Sequence, residues 1–486
     1  MCSNNSGCGT NEDLIPEEEK LEIKADKLCP RCNTNNGEVV LRLKDIYCKA
    51  CLLQYLNHKF RAALGKSKMM RPQDKVLVAF SGSHSSMALL HLLQEGMQLS
   101  SHKRILFSVC AIYIDDGSIS QVSISERKAN NAQIATAMKY FDSYFTCLEQ
   151  ALEPDNMKLY TDVAELPLEQ FAKDSEINKM FQTVTTLSSR QYLLQTLRQN
   201  LLLQAAKKLN CTKIFTAETQ TDLATKIIAN ISLGKGAHVP LDVGFSDDRT
   251  GDIITLRPLR DFSSKEVIYY NIFNDLSPVH VPSLATLADP LASLQKAAES
   301  FVTDLQTNFP STVSTVFRTA DKLSLDLTSM NVNNTCLLCK APLDTRADLA
   351  SSSMGATRFS RYVSNATREQ LSHVIISSES PDHASKVTTD VNQTVGSQDI
   401  PEKSVNGSED IPNQIVNGMQ YTPNEKVSRT EDNEGPDNLQ RSLCYACQYV
   451  VKDMTSDKDI GEGILKKCLQ EKSLNEMEDQ IRDFLL

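Results

Sequence analysis

The sequence predicts an α/β protein built on a doubly wound parallel sheet and flanked by small four-cysteine zinc modules. Two observations predict this class: apolar runs alternate with amphipathic stretches from Lys75 onward, and four C-x-x-C pairs lie on either side of that region. Strands that alternate with helices form parallel sheets covered on both faces. A chain of 486 residues is long enough for two or three folded units.

The predicted elements follow from where the apolar spacing changes along the chain. A helix over 52–71 precedes the first strand, which covers 75–80 because this run is almost entirely apolar. Ser263 is a typical N-cap and places the start of a later helix. The other predicted elements are a helix over 81–95, a strand over 104–115, a helix over 125–141, a strand over 143–147, a helix over 188–209, a strand over 213–217, a helix over 222–233, a strand over 253–258, and helices over 264–273 and 291–305.

The same patterns divide the chain into six segments. The insertion among them is dense in Ser, Thr, Asn, Asp, Glu and Pro, and such a composition buries too little apolar area to offset chain entropy. We expect a disordered tail over 1–26, a zinc module with a basic helix over 27–71, the α/β domain over 72–290, a helical region with the third cysteine pair over 291–376, the disordered insertion over 377–440, and the last cysteine pair with a helix over 441–486.

The charge balance limits the partners of the protein. The formal net charge is −10, so the molecule as a whole repels polyanions, and any contact with nucleic acid requires a local basic patch. We find no apolar run of the length that a membrane span needs. The N-terminus also lacks the basic and apolar regions of a secretory signal. We therefore expect a cytoplasmic protein without membrane contact.

Two sets of paired cysteines are candidate metal sites. Two C-x-x-C pairs about 15–20 residues apart supply four thiolates to one tetrahedral ion. The second set fits only if the insertion loops out, which costs only about 0.6 kcal/mol for each doubling of loop length. We predict two structural zinc ions, although iron–sulfur clusters use the same ligands and a redox pair or metal-free thiols would also fit the first set. The ligands would be Cys29, Cys32, Cys48 and Cys51 at the first site, and Cys336, Cys339, Cys444 and Cys447 at the second.

The loop after the first predicted strand has the sequence Ser-Gly-Ser-His-Ser-Ser over 81–86. It opens a helix, so its backbone N–H groups and the positive end of the helix lie where a phosphate could bind. A serine-rich turn of this kind is also a common helix N-cap. By itself the loop therefore indicates phosphate binding only weakly.

The cysteine modules together with the segment Val-Ala-Phe-Ser-Gly-Ser-His-Ser-Ser-Met-Ala-Leu-Leu resemble the tRNA thiolases of the PP-loop ATPase superfamily. The resemblance covers roughly 27–275 and the two C-terminal cysteine pairs. It implies a sheet of the PP-loop (adenine nucleotide alpha hydrolase-like) type. It also implies ATP-dependent 2-thiolation of wobble uridine (mcm5s2U) in tRNAs for Lys, Glu and Gln, with sulfur from a thiocarboxylated ubiquitin-like protein.

The chain departs from the catalytic members of this superfamily at three places. In their motif Ser-Gly-Gly-x-Asp-Ser, Ser83 stands here for the second glycine and Ser85 for the aspartate. Of their motif Thr-Gly-His-Asn-x-Asp-Asp, only Thr216 and Asp222 are present. The stretch 185–190, where they carry sulfur-handling cysteines, contains none.

These departures imply that the chain has no catalytic residues and acts as a subunit of a heterodimer. ATP would be bound by the catalytic partner, cytoplasmic tRNA 2-thiolation protein 1. This chain would stabilise the complex and extend its tRNA surface. The residues that would keep any residual nucleotide binding are Ser81, Gly82, Ser86 and Asp222.

A basic segment between the first cysteine module and the first strand is a candidate tRNA-binding site. Its only acidic residue is Asp74, and clusters of this kind contact phosphates even on acidic proteins, because electrostatic fields are screened beyond about 10 Å at 0.1 M salt. A solvated basic helix face is the simpler interpretation. The candidate residues are Lys59, Arg61, Lys66, Lys68, Arg71 and Lys75.

Two other functions fit the same sequence. The chain could be a catalytically active ATP-dependent tRNA sulfurtransferase, in which Ser86 and the helix N-terminus still bind ATP. It could also be a zinc-stabilised scaffold that recruits protein partners without touching tRNA. ATP–pyrophosphate exchange distinguishes the first of these, and crosslinking to tRNA distinguishes the second.

Overall fold

The computed structural model of the protein describes residues 28–41, 45–99, 104–152, 156–169, 176–284, 286, 288–323, 331–343 and 442–454. The tail over 1–26 and the insertion over 377–440 lie outside these residues, as does the chain beyond residue 454. Within the described residues, no helix combines the length and apolarity that crossing a membrane requires.

The N-terminal module consists of a small hairpin and one long helix. Strands β1 (Val39–Val40) and β2 (Ile46–Tyr47) pair antiparallel. Helix α1 (Lys49–Ser67) follows directly. Its buried side chains recur every four residues, which gives one apolar face that packs on the neighbouring α/β domain. These side chains are Leu52, Leu56, Phe60 and Leu64.

The central sheet has six strands in the order β5-β4-β3-β6-β8-β7. Five of them run parallel, which confirms the predicted α/β class. The edge strand β7 pairs antiparallel with β8 and was not predicted, because its two residues carry no pattern. The strands are β3 (Lys75–Phe80), β4 (Ser108–Asp115), β5 (Asp142–Cys147), β6 (Lys213–Phe215), β7 (Ser246–Asp247) and β8 (Ile254–Leu256).

Helices cover both faces of this sheet. Alternate residues of β3 point to opposite faces: Leu77 lies in a core with α5 and the second cysteine set, whereas Val76 and Val78 lie in a core with α1, α2 and α8. The helices are α2 (His84–Gln98), α3 (Ile124–Met138), α4 (Glu176–Thr183), α5 (Leu187–Lys208), α6 (Gln220–Ser232), α7 (Val239–Val243), α8 (Ser264–Phe273), α9 (Leu294–Asn308), α10 (Pro310–Ala320) and α11 (Tyr445–Lys452), with short 3-10 helices at Leu148–Leu152, Val163–Glu165 and Gly236–His238.

A second small hairpin lies between α10 and α11 in the chain. Strands β9 (Asn331–Thr335) and β10 (Pro342–Leu343) pair antiparallel. The third cysteine pair occupies the turn between them. The parallel strands of the central sheet all end at one edge, where ligands bind in open α/β sheets. We call it the carboxyl edge; the loops that begin at residues 81, 116 and 216 lie there.

Candidate functional site

The first four predicted cysteine ligands form one cluster. The Sγ atoms of Cys29, Cys32, Cys48 and Cys51 all lie within 4.8 Å of one another. The first pair sits in a tight turn, in which the backbone N–H of Asn33 donates to the carbonyl of Cys29 at 2.8 Å. The second pair starts a helix: Cys48 is the N-cap residue of α1, and Cys51 lies in its first turn.

The other four predicted ligands form a second cluster with the same construction. The Sγ atoms of Cys336, Cys339, Cys444 and Cys447 also lie within 4.8 Å of one another. The backbone N–H of Lys340 donates to the carbonyl of Cys336 at 2.9 Å and closes the turn. Cys444 is the N-cap residue of α11. Pairs far apart in the sequence therefore meet, as predicted.

The donor set and its surroundings fit a closed tetrahedral metal site. Metal ions bind thiolates. Hydrogen bonds from the Thr34 side chain and nearby backbone lower the pKa of Cys32 to about 6, whereas burial raises the pKa of Cys51. In the second cluster, hydrogen bonds with Cys336 and the other thiols lower the pKa of Cys339 and raise those of Cys444 and Cys447. Four protein thiolates leave no open coordination position. The clusters therefore suit structural rather than catalytic metal ions.

Three serines of the loop after β3 hydrogen-bond to one another. Ser83 is the N-cap residue of α2, and its Oγ accepts from the backbone N–H of Ser86 at 3.3 Å. The hydroxyl of Ser81 donates to Ser83 Oγ at 3.1 Å, and that of Ser86 donates to the Ser83 carbonyl at 3.0 Å. One of the N–H groups that a phosphate would use is thus bonded to the chain itself.

Gly82 is required by packing in this loop. Its φ of +80° lies in the left-handed region, which favours glycine. A Cβ at this position would lie 2.8 Å from Ile134 Cδ1 and 2.9 Å from the carbonyl oxygen of Val279. The N–H of Val279 in turn donates to the Gly82 carbonyl at 2.9 Å. The presence of this glycine is therefore explained without a bound phosphate.

Asp222, the fourth nucleotide-binding candidate, caps α6. Its Oδ2 accepts from the backbone N–H of Thr219 at 3.0 Å and from Thr219 Oγ1 at 2.8 Å. The Thr219 hydroxyl oxygen accepts in return from the Asp222 N–H, which completes a capping box. A helix cap thus accounts for one of the two residues retained from the second motif.

The start of α5 is occupied by other parts of the chain. Thr186 is its N-cap residue, and the carboxylate of Asp453 accepts from the Thr186 N–H at 3.0 Å and from Thr186 Oγ1 at 2.6 Å. Ser188 Oγ accepts from the N–H of Leu294 at 2.9 Å. The stretch that resembles the cysteine-bearing segment of active thiolases is therefore filled by hydrogen-bonded contacts.

The basic segment divides into half-buried cations with partners in the fold and more exposed ones. Lys59 Nζ donates to both carboxylate oxygens of Glu266 at 2.8 Å and lies 4.9 Å from the ring centroid of Phe262, so it attaches α1 to α8. Lys75 Nζ donates to the Leu209 carbonyl at 2.9 Å. The remaining candidates are Arg61, which is half-exposed, and Lys66, Lys68 and Arg71, which are exposed.

The single acid of this segment does not reduce its positive surface charge. Asp74 is buried, and its carboxylate lies 2.7 Å from Lys213 Nζ. Its oxygens also accept from the backbone N–H of Arg71 at 2.7 Å and from Thr212 Oγ1 at 3.2 Å. The exposed surface over 61–73 therefore carries cationic side chains and no acidic ones.

Comparison with known proteins gives one consistent family. The family model of cytoplasmic tRNA 2-thiolation protein 2 matches residues 293–449, which include all four cysteines of the second cluster. The protein of that name from Danio rerio is 32% identical over 528 aligned residues, which cover 99% of this chain and 99% of the relative. The chain belongs to the cytoplasmic tRNA 2-thiolation protein 2 family. The name of this family indicates a role in tRNA 2-thiolation and agrees with the predicted cytoplasmic localisation.

Two further similarities were found. The human cytoplasmic tRNA 2-thiolation protein 2 is 31% identical over 389 residues, which cover 69% of this chain and 76% of the relative. Among solved structures, the U34-tRNA thiolase NcsA from Methanococcus maripaludis with its [4Fe-4S] cluster has a TM-score of 0.46 and 15% sequence identity, and the match covers 62% of this chain and 90% of that chain.

One feature of this member of the cytoplasmic tRNA 2-thiolation protein 2 family was missed from sequence. A buried polar cluster lies where β4 ends: Asp115 Oδ1 accepts from Arg127 Nε at 3.2 Å, and Asp115 Oδ2 accepts from Asn131 Nδ2 at 2.8 Å. Arg127 Nη2 lies 4.0 Å from a Glu149 carboxylate oxygen, and Arg198 pairs with Asp116. The sequence signal for this cluster was a pair of adjacent aspartates, Asp115 and Asp116, at the end of an apolar strand.

Proposed function

We propose that this chain is the non-catalytic subunit of a cytosolic heterodimer that 2-thiolates the wobble uridine (mcm5s2U) of tRNAs for Lys, Glu and Gln. Its partner is cytoplasmic tRNA 2-thiolation protein 1, which binds ATP and carries out the chemistry. The sulfur comes from a thiocarboxylated ubiquitin-like protein. The chain itself supports the stability of the complex and contributes to tRNA binding.

The loop after β3 is the observation that carries this proposal. Ser83 occupies the capping position of α2, and backbone at Val279 packs on Gly82. Ser85 cannot supply the carboxylate that stands at its position in active members of the superfamily. The start of α5 points the same way, since Asp453 occupies the N–H of Thr186. At these two places the described residues therefore offer neither the carboxylate nor the cysteines that active members of the superfamily carry.

The two cysteine clusters complete the proposal. We assign one structural zinc ion to each, held by Cys29, Cys32, Cys48 and Cys51 in the first cluster and by Cys336, Cys339, Cys444 and Cys447 in the second. The bound ion would supply positive charge and a tetrahedral crosslink. The chain's thiolates hold it, while the turns and helix N-termini orient them.

ATP–pyrophosphate exchange tests the division of labour between the subunits. The purified chain, supplied with tRNA and ATP, should show no exchange above a protein-free blank, whereas its complex with the partner should exchange. Exchange by the isolated chain at a rate comparable to the complex would mean that this subunit activates tRNA itself.

One observation favours the alternative of an active ATP-dependent sulfurtransferase. The polar cluster at the end of β4 lies at the carboxyl edge, and Arg127 Nη2 and Asn131 Oδ1 are buried there without a hydrogen-bond partner among the described residues. Such groups are typical where a water or ligand binds. ATP binding to the isolated chain in calorimetry, lost in Arg127→Met with the fold intact, would support this alternative over a scaffold.

The exposed cations of the basic segment should contact tRNA. We expect the combined change Lys66→Glu, Lys68→Glu and Arg71→Glu to weaken tRNA binding by the complex by about tenfold or more, since fewer phosphates are neutralised and fewer counterions are released. The slope of log affinity against log salt should fall by about one for each phosphate that is no longer neutralised. Filter binding or fluorescence anisotropy over a salt series measures both quantities.

A matched control separates this surface from general charge effects. Lys139→Glu, Arg318→Glu and Lys322→Glu change the net charge equally at exposed positions outside the segment and should leave the salt slope nearly unchanged. Lys59 is excluded because its ammonium holds Glu266. Equal affinities for both triple variants would favour a protein-interaction scaffold or a solvated basic face.

A further inference from the structure

Helix α11 is anchored at both of its ends. It begins after Cys444, a thiol of the second cluster, and Asp453 directly follows its last residue, Lys452. Its eight residues span only about 12 Å at 1.5 Å per residue. Helices this short are not stable alone in water. The position of α11 therefore depends on what holds its two ends.

The far end of α11 holds the start of α5. The Asp453 carboxylate accepts from the N–H and the hydroxyl of Thr186 and from the hydroxyl of Thr185. The backbone joins as well: the N–H of Thr185 donates to the Asp453 carbonyl at 3.2 Å, and Val184 forms a β-bridge with Met454. This carboxylate lies at the positive end of a 22-residue helix, which favours negative charge.

Burial and hydrogen bonding act on Asp453 in opposite directions. Burial raises its pKa, but hydrogen bonds from Thr185 and Thr186 outweigh that effect and hold the pKa below its ordinary value. The carboxylate is therefore ionised at neutral pH, and its hydrogen bonds with these threonines are charge-assisted.

The near end of α11 is held at the second cluster. Cys339 Sγ and Cys444 Sγ lie 3.6 Å apart, and the Tyr192 hydroxyl of α5 lies 3.4 Å from Cys447 Sγ. Apart from these thiols, the segment 442–454 contributes few buried apolar side chains: Leu443, Ala446 and Val450. A metal ion that binds all four thiolates would therefore supply much of what fixes the segment.

We infer that the second cysteine cluster and Asp453 form a metal-dependent clamp on the start of α5. With metal bound, α11 is fixed and Asp453 holds the N-cap residue Thr186 in place; without it, the carboxylate leaves Thr185 and Thr186 and the first turn of α5 loosens. The inference rests on the proposed metal binding. The clamp should also affect the start of α9, which is hydrogen-bonded to Ser188 in the first turn of α5. Ser188 Oγ accepts from the N–H of Leu294, and the Ser188 carbonyl accepts from Gln295 Nε2.

Hydrogen exchange of the full-length, metal-loaded protein tests the carboxylate end. Asp453→Ala removes the acceptor oxygens and should speed amide exchange in peptides covering 185–190 by roughly fivefold or more, which is what losing a side-chain hydrogen bond at a helix N-terminus allows, with strand β3 as an unchanged internal reference. Asp321→Ala is the matched control, since Asp321 follows α10 in the same way and pairs with Arg260 at 2.7 Å. Unchanged exchange at 185–190 in Asp453→Ala would overturn the clamp.

Metal retention tests the coupling in the other direction. Coupling is reciprocal, so Asp453→Ala should bind two zinc ions per chain but lose one of them to a chelator roughly fivefold more readily than either wild type or Asp321→Ala. Equal retention in all three proteins would overturn the coupling. The metal content of the wild type is measured first. Fewer than two ions per chain would contradict the metal assignment, whereas two ions with equal retention in all three proteins would contradict only the coupling.

Discussion

Replacing Cys29 and Cys32 by serine should release one of two metal ions and unfold the chain over 28–48. The buried centre of this module consists of its cysteines, with Tyr47 packed against them, and its strands are two residues each. Structural zinc supplies about 10–16 kcal/mol of apparent binding energy in small zinc-finger peptides. Elemental analysis and hydrogen exchange measure the two effects.

Helix α1 should remain in place in this variant. Its apolar face lies in the core of the α/β domain, and Lys59 holds Glu266. Protection of α1 amides should therefore persist while the hairpin loses its protection. Cys147→Ala is the control, since Cys147 is buried but belongs to neither cluster. A wild-type protein without zinc or iron, or a double-serine variant that keeps both ions, would contradict the assignment.

Deleting the whole chain should abolish 2-thiouridine in bulk tRNA, whereas the combined change Ser81→Ala, Ser85→Ala and Ser86→Ala should leave it nearly intact. The reason is that the hydroxyls of Ser81 and Ser86 hydrogen-bond within the loop, to Ser83, and the variant keeps Ser83 as the N-cap residue of α2. The expected cost is local stability, about 1 kcal/mol for each hydrogen bond removed. Complementation of cells that lack the protein, followed by nucleoside analysis, gives the measurement.

Gly82→Ala provides the informative comparison. An added Cβ would lie 2.9 Å from the Val279 carbonyl oxygen at a φ of +80°, so this variant should lose thiolation by misfolding and accumulate less protein. Should the triple-serine variant lose thiolation while it stays folded and partner-bound, the loop handles nucleotide and the chain is an enzyme.

The order of the elements could be predicted because each one carries its own pattern. Strand β3 and helix α8 have the predicted bounds, and Ser263 caps α8 as expected. The β1–β2 and β9–β10 hairpins, α7 and β7 were missed, because elements of two to five residues are too short to show a period. Helices α4 and α10 were not predicted as separate elements either.

The site could be predicted where its ligands follow a local spacing rule. All eight cysteines meet as expected. Asp222 was predicted as a nucleotide-binding residue, and its role in a capping box with Thr219 was missed, although a threonine three residues earlier was the signal for it. The ion pair that makes Lys59 a structural residue rather than a tRNA-binding candidate could not be predicted, since its partner Glu266 lies 207 positions away. The contact of Asp453 with Thr186 spans 267 positions, and no local pattern indicates pairings of that range.

The second cysteine cluster also brings together two stretches that are far apart in the chain, 331–343 and 442–454. The chain leaves β10 at Leu343 and returns at Ser442, whose carbonyl accepts from the Leu337 N–H at 3.0 Å. Because closing a loop costs only about 0.6 kcal/mol per doubling of its length, a metal-loaded cluster would make the number of residues between these two ends almost neutral for folding. We therefore expect a fluorescent protein or an affinity tag inserted between Leu343 and Ser442 to be tolerated.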